Sequence, residues 1–285
     1  MIKSMTGFGK GESTFENKSI IVEVRTLNSK NLDVNCRISN NYKDLESEFR
    51  KKISNSLKRG KIDFFIYNKS VDDKTGSKIN LETVEDYFSQ LKKLSLNKES
   101  DLLSIAMRLP GVMKTEKETL NDDEKNEVLK LFKNAIKEVI SFRNQEGKII
   151  FKDFTNRLVV IEDHLKIISK IDQNRIQSIK EKLKSSLKDL KINIDENRFE
   201  QELIYYVEKY DITEEKVRLN NHINYFKETL NTDDSNGKKL GFISQEMGRE
   251  INTIGSKAND FELQKIVVQM KDELEKIKEQ LLNVL

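Results

Sequence analysis

Hydrophobic spacing divides the chain into a short strand-bearing portion and a long helical remainder. Ser19 to Arg25 carries β-branched residues with partial alternation, and Leu32, Val34, Cys36 and Ile38 alternate strictly with polar neighbours. Both stretches read as strands. Lys61 to Tyr67 reads as another, apolar in its middle. Between them Tyr42, Leu45, Phe49, Ile53 and Leu57 recur at helical steps. They predict an amphipathic helix that packs on the sheet, with Gly60 placed to cap its C-terminus. Val71 to Lys78 is a polar loop. A helix from about Leu81 to Leu94 follows, and a shorter one leads to the breaker Pro110-Gly111. From Asp122 onward the pattern is helical almost without interruption. Leu129, Phe132, Ile136, Val139 and Ile140 open a periodic segment that continues to about Ile171. Such length predicts a projecting helical hairpin or coiled-coil-like arm. Asp195 and Asn197 suggest another helix start, and a final helix runs from about Asp260 to Leu282. The expected class is α+β. A small N-terminal mixed α/β domain covers 1–72, a helical middle region with a long antiparallel arm covers 73–195, and a C-terminal all-helical catalytic region covers 196–285.

Composition supports a helix-rich chain with long solvated faces. Only 36% of residues are apolar, 35% are charged, and there is one proline and no tryptophan. The net charge of +3 is nearly balanced, so any contact with nucleic acid must use a local patch. The single Cys36 forms no internal disulfide, which suits a reducing compartment. No apolar run approaches a membrane span, and Met1 to Ser4 begins no signal peptide. The expectation is a soluble, cytoplasmic protein without a membrane partner. Gly7, Gly9 and Gly11 do not make a nucleotide loop, because Glu12 breaks the glycine spacing and no strand precedes them. Two histidines and one cysteine exclude a zinc-binding spacing.

The richest chemistry lies between Gly237 and Lys257. Leu240, Ile243, Met247, Ile251 and Ile254 form one apolar stripe. Glu246, Arg249, Glu250, Thr253 and Lys257 form a polar stripe beside it. Two carboxylates one turn apart suit Mg²⁺ or Mn²⁺, and an arginine between them matches a phosphate with a planar fork of donors. The competing reading is a solvated face, with Glu246 and Arg249 an ordinary surface pair. Gly248 and Gly255 each cost about 1 kcal/mol against alanine inside a helix. Their presence predicts that something approaches the backbone closely. Upstream, Asp211, Glu215, Arg218 and His222 recur at steps of four, three and four. They line one face beside the apolar Ile212, Leu219, Ile223, Phe226 and Leu230. Asp211 and Glu214 also fit a capping box, which leaves Asp211 a structural alternative. His164 sits in the long periodic segment and reads as structural or exposed.

A basic patch is equally legible. Lys51 to Lys61 holds five basic residues and no acid, and lies on a helix end and the following strand. Lys58, Arg59 and Lys61 are candidate RNA contacts, with helix-dipole capping the alternative for the first two. Arg25, Lys30 and Arg37 widen the patch. No aromatic platform for stacking bases is evident.

These motifs resemble, in order, the landmarks of the YicC/YloC family of bacterial endoribonucleases. The signature at 238–257, a basic pair followed by Gln245-Glu246, Arg249-Glu250, Asn252-Thr253 and Ser256-Lys257, is similar to the family's C-terminal run. Ser4 to Gly9 resembles its opening. Glu23 to Asn28 with Leu32-Asp33, then Arg59 to Ile62, Leu109 to Val112, Arg143 with Glu146-Gly147, and Glu200 to Leu203 match further landmarks. Gly241 stands where the family usually has Asp, Gly248 where it has Asn, and the chain closes on Asn283, Val284 and Leu285 rather than an acidic residue. The resemblance implies a metal-dependent endoribonuclease that hydrolyses single-stranded RNA. It implies Glu246, Glu250 and Glu202 as ligands to a divalent metal cation (Mg²⁺ or Mn²⁺), and a homohexamer with an RNA-holding channel. Glu202 is raised by the resemblance alone. Glu215 is a further carboxylate of the site, and His222 acts there as ligand or as general acid/base. Arg218 and Arg249 hold the phosphate, with Lys257 as an added cation. The rivals are a non-catalytic oligomeric RNA-binding or assembly protein, and metal-independent cleavage through His222 and Lys257 to a cyclic phosphate.

Overall fold

A computed structural model describes residues 2–16, 18–70, 78–94, 99–114, 120–189, 196–232 and 236–285. The strand-bearing portion forms a four-stranded sheet, β1 (Gly7–Phe15), β2 (Lys18–Leu27), β3 (Leu32–Ile38) and β4 (Gly60–Ser70). Its order is β1-β2-β4-β3. β1 pairs antiparallel with β2 and β2 with β4, whereas β3 runs parallel to β4. The predicted alternation of β3 is present, with Leu32, Val34, Cys36 and Ile38 packed against the core. Burial pushes the Cys36 thiol up, away from nucleophilic use.

The helical stripe between β3 and β4 is also present. A 3₁₀ turn (Asn40–Leu45) leads into α1 (Glu46–Ser56), and Tyr42, Leu45, Phe49, Ile53 and Leu57 are all buried on the sheet. Its predicted end moves. Leu57 caps the helix, and Gly60 instead opens β4 at φ +120°. A Cβ there would come within 3.0 Å of the Leu27 carbonyl oxygen. Lys58 and Arg59 therefore lie in a connection, and helix-dipole capping does not explain them.

Apolar spacing missed β1, as it did the two short strands described below. Gly7, Gly9 and Gly11 are all buried, and they face α4 (Asp122–Asp189). A Cβ on Gly9 would lie 2.1 Å from the Ala135 carbonyl oxygen, and one on Gly11 2.8 Å from that of Leu131. Two strand residues advance about 6.8 Å and four helix residues about 6.0 Å, so each glycine meets one turn of the helix. The run is a helix seat.

α4 is a single helix of 68 residues, about 100 Å long. Val128 to Val139 enter the core of the sheet, where Phe49, Phe64 and Phe132 meet at ring distances of 5.0–5.5 Å. Ile150 to Ile168 enter a second core with α6 (Thr213–Leu230), α7 (Gly237–Ala258) and α8 (Phe261–Leu281). The helical segments at 81–94 and before Pro110 appear as α2 (Leu81–Leu94) and α3 (Glu99–Ala106). The short strands β5 (Lys78–Ile79) and β6 (Met113–Lys114) pair beside them. Residues 71–77 of the expected loop and Asp195 lie outside the described residues, and α5 covers Glu196–Tyr210. α8 starts where expected, and Asp260 caps it, its carboxylate accepting from Leu263 N at 3.0 Å.

Segments far apart in sequence are knitted where the two cores meet. Ser4 bridges Val284, and Leu285 N donates to the Lys3 carbonyl. Thr6 donates to Glu146, and a Cβ on Gly147 would lie 2.3 Å from the Ile2 carbonyl oxygen. The class is α+β, a small mixed sheet followed by helices. Among the described residues no helix is long and apolar enough to cross a membrane.

Candidate functional site

α6 and α7 pack antiparallel, because Lys257 at the end of α7 donates to Glu215 at the start of α6 at 2.7 Å. Leu219, Ile223, Phe226 and Leu230 face Leu240, Ile243, Met247, Ile251 and Ile254 across a buried seam. Glu215 lies at its edge, 5% exposed. Its Oε1 takes the lysine ammonium, and its Oε2 is buried without a hydrogen-bond partner. One heptad away from this pair, forward on α6 and back on α7, stand His222, half-buried, and Glu250, buried. Seven residues advance both helices by the same roughly 10.5 Å. The register set by Lys257 and Glu215 thus carries His222 and Glu250 to one level of the seam.

A network that spacing does not reveal fixes the end of this seam. Arg175 of α4 is buried, and its Nη1 donates to the carbonyls of Lys257 and Ala258 at 3.1 and 2.7 Å. It also donates to the Tyr210 carbonyl. Asp172 pairs with Arg175 and accepts from Lys216 at 2.7 Å. Arg175 thereby satisfies the C-terminal carbonyls of α7 and sets the backbone that carries Lys257. Asp211 accepts from Thr213 N at 2.9 Å, and these bonds hold its carboxyl below the usual range. The capping box is not closed, since Glu214 pairs with Arg218 instead.

The polar stripe of α7 divides in two. Glu250 and Lys257 turn toward the seam. Glu246 and Arg249 pair with each other at 2.8 Å, with side chains 42% and 74% exposed. Arg218 is also exposed. The two glycines have a nearer cause than a ligand. A Cβ on Gly255 would meet Val267 at 3.0 Å, and one on Gly248 would meet Leu274 and Lys278 of α8 at 3.4 Å. α8 is the element that comes close. Glu202 is exposed on α5. Among the described residues no three His, Cys, Asp or Glu side chains gather as a metal-holding group, so Glu202, Glu246 and Glu250 do not converge within one copy.

On the N-terminal sheet, Arg25 is exposed between two rings, 5.7 Å from the centroids of both Phe8 and Phe65. Arg37 lies 5.6 Å from Phe65. Phe8, Arg25, Phe65 and Arg37 make a row across all four strands, so an aromatic face exists where sequence spacing suggested none. Its members are remote in sequence, and only pairing register aligns them. Lys58 and Lys61 point outward. Arg59 is half-buried, its Nε donating to the Ser29 carbonyl at 3.0 Å. Its own carbonyl accepts from Arg143, which also donates to Met5 O and Thr26 Oγ1. Arg143 is 4% exposed, and burial pulls its guanidinium down to about 10.

Comparison with known proteins adds to this geometry. The family described as Endoribonuclease YicC-like, N-terminal region, matches residues 2–152, and Endoribonuclease YicC-like, C-terminal, matches residues 168–285. The chain is 35% identical over 296 aligned residues to the probable endoribonuclease YicC of Clostridioides difficile (strain 630), covering 100% of both chains. It is 27% identical over 287 residues to the probable endoribonuclease YicC of Haemophilus influenzae, again over 100% of both.

Proposed function

The chain belongs to the YicC-like endoribonuclease family, and we propose that it is a metal-dependent endoribonuclease that hydrolyses phosphodiester bonds of single-stranded RNA. One observation carries the placement of the chemistry. Glu215 presents a buried carboxylate oxygen with no partner on the same seam as His222, Glu250 and Lys257.

The donor set fits a hard divalent cation. The carboxylates of Glu246 and Glu250 supply oxygen, and Mg²⁺ characteristically takes one or two carboxylates, with the substrate phosphate and water filling the rest. A converged trio within one copy is therefore not required. In the homohexamer that we also propose, Glu202 of another copy is available as a further donor. When bound, the ion would supply positive charge that favours a hydroxide nucleophile and offsets charge developing on the phosphate.

The chain's own residues do the remaining work. Arg249 and Arg218, exposed and each tied only to a surface carboxylate, exchange those partners for phosphate oxygens. Such exposed pairs are worth under about 1 kcal/mol, so the exchange costs little. Lys257, anchored by Glu215, holds a fixed positive charge at the seam. His222 moves a proton at the attacking or leaving oxygen. The apolar seam keeps water from Glu215 and Glu250 and strengthens the pairing of Lys257 with Glu215.

The test is cleavage of a single-stranded RNA with Mg²⁺ or Mn²⁺, then with EDTA, then with the metal restored. Activity that ignores EDTA would remove the metal and leave His222 with Lys257 as the route to a cyclic phosphate. The exposed pairing of Glu246 with Arg249 favours one other reading, an oligomeric RNA-binding or assembly protein whose α7 face is only solvated. RNA binding without cleavage under any metal would establish that alternative. A cytoplasmic setting, where both RNA and Mg²⁺ abound, is part of the proposal.

A further inference from the structure

A cleft of about 670 Å³ lies where the β2–β3 turn meets the start of α7 and the end of α8. Four cations line it, Lys30, Arg59, Lys238 and Lys278, and no carboxylate side chain does. They come from four separate parts of the chain, and only the fold brings them together. Lys278 makes one exposed contact with Glu275 at 3.3 Å. Among the described residues Lys30, Arg59 and Lys238 have no carboxylate partner. In a chain with 51 basic and 48 acidic residues, chance would supply acids to such a wall. Facing cations repel, and a cleft lined by one sign of charge concentrates counter-ions of the other.

The walls are also built. Asn28 donates its amide to the Leu282 carbonyl, tying the turn to the end of α8. Arg59 is fixed through Ser29, and its backbone is held by the buried Arg143. Gln245 adds a second amide donor to the lining. A Cβ at Gly241 would have nothing within 4 Å, so this face of α7 is open to the cleft. From Gly241 to Glu250 is about 13 Å along the helix, a short reach of extended strand.

We propose that this cleft seats consecutive backbone phosphates of the RNA strand, with Lys30, Arg59, Lys238 and Lys278 as their counter-charges and positioning groups. The proposal rests on the RNA-cleaving reading above. The contacts are to phosphate, so they set where the strand lies and carry no base preference.

The test measures binding of a non-cleavable 2′-O-methyl RNA oligomer across a potassium chloride series, for the wild type and two variants. Each single-strand phosphate contact contributes about −0.7 to the slope of log K against log salt. The triple variant Lys30→Gln, Lys238→Gln, Lys278→Gln should flatten the slope by roughly 2. Gly241→Lys should steepen it by about 0.7. That second variant has room for its side chain and improves helix propensity, so a gain cannot arise from misfolding. An unchanged slope in either variant overturns the proposal, provided that thermal melting shows the triple variant folded. Wild-type protein that binds as expected yet never cleaves ordinary RNA would defeat the enzymatic reading and leave the cleft standing. Wild-type cleavage with an unaltered slope in the triple variant would defeat the cleft alone.

Discussion

Lys257 reaches across the α6–α7 seam to Glu215 at 2.7 Å and satisfies one of its two carboxylate oxygens, leaving the other buried and unpartnered. The pair is both a structural clasp and a held charge. Lys257→Met would leave the carboxylate without its cation, at a cost of about 2–3 kcal/mol; breaking a fully buried pair costs more, but this lysine is one-third exposed. Adding Glu215→Leu should recover most of that stability in urea unfolding, because packed apolar groups replace buried ion pairs well. RNA cleavage should stay lost in the double variant. Wild-type cleavage by a restabilised double variant would make the pair purely structural.

Glu250→Gln deletes a buried negative charge for which no hydrogen bond is found among the described residues. Melting temperature should hold or rise, while cleavage falls by about two orders of magnitude or more, the size typical of losing one charge-stabilising group. Glu246→Gln releases Arg249 from its surface pair and should lower cleavage as well. Full activity in both variants would return α7 to a solvated face.

The two histidines should separate cleanly. His222→Ala should reduce turnover far more than RNA affinity, since a proton-transfer group acts in the transition state. His164 lies on α4, half-buried, and its Nδ1 has no hydrogen-bond partner among the described residues. His164→Ala should cleave at near the wild-type rate. Parallel losses in the two would indicate general destabilisation.

Acid should loosen the start of α6. Bonds from Thr213 hold the Asp211 carboxyl below its ordinary value of 3.8. A depressed carboxyl contributes stability above that value and loses it as pH falls through the folded one. Asp211→Asn keeps an oxygen that accepts from Thr213 N and should blunt this acid-side loss. Asp211→Ala should cost about 1 kcal/mol at neutral pH. Paired unfolding curves between neutral pH and about pH 3 read both effects. Identical pH profiles for wild type and Asn would remove Asp211 from the acid limb.

Gly9→Ala drives a methyl group to within 2.1 Å of the Ala135 carbonyl oxygen, where only backbone can yield. Overpacking of this kind costs about 3 kcal/mol. Activity per folded molecule should change little, because the clash lies in the sheet core, away from the seam. A melting temperature equal to wild type would mean that β1 and α4 are not seated as described.

Where burial alone shaped the sequence, the fold was legible. The Tyr42-to-Leu57 stripe, the alternation of β3 and the limits of α2 all follow from apolar spacing. β1 was hidden because its buried face is glycine, which carries no hydrophobic signal. The Lys51–Lys61 run was visible as charge, but its division into the outward Lys58 and Lys61 and the inward Arg59 depends on where Gly60 turns the chain. Gly248 and Gly255 rightly signalled close approach, yet a sequence cannot tell a helix from a ligand as the visitor. Landmarks such as Arg143 and Gly147 carried the resemblance without a role; in the fold they bind Met5 and press on Ile2. Arg175 and Asp172 were invisible, since their partners lie at remote positions.

The 68-residue helix α4 is keyed into one core by Ala135 and into the other by Phe154, with no joint between. One residue inserted between Arg143 and Ile150 would turn everything beyond it by about 100° and shift it by 1.5 Å. Either core could then keep its contacts only by abandoning the other. Seven inserted residues would nearly restore the angle and still part the two halves by about 10 Å. Apart from Glu146 and Gly147, which Thr6 and Ile2 hold to type, this stretch can drift in composition but scarcely in length: it works as a keyed shaft, and the evolutionary freedom to gain or lose residues must lie elsewhere.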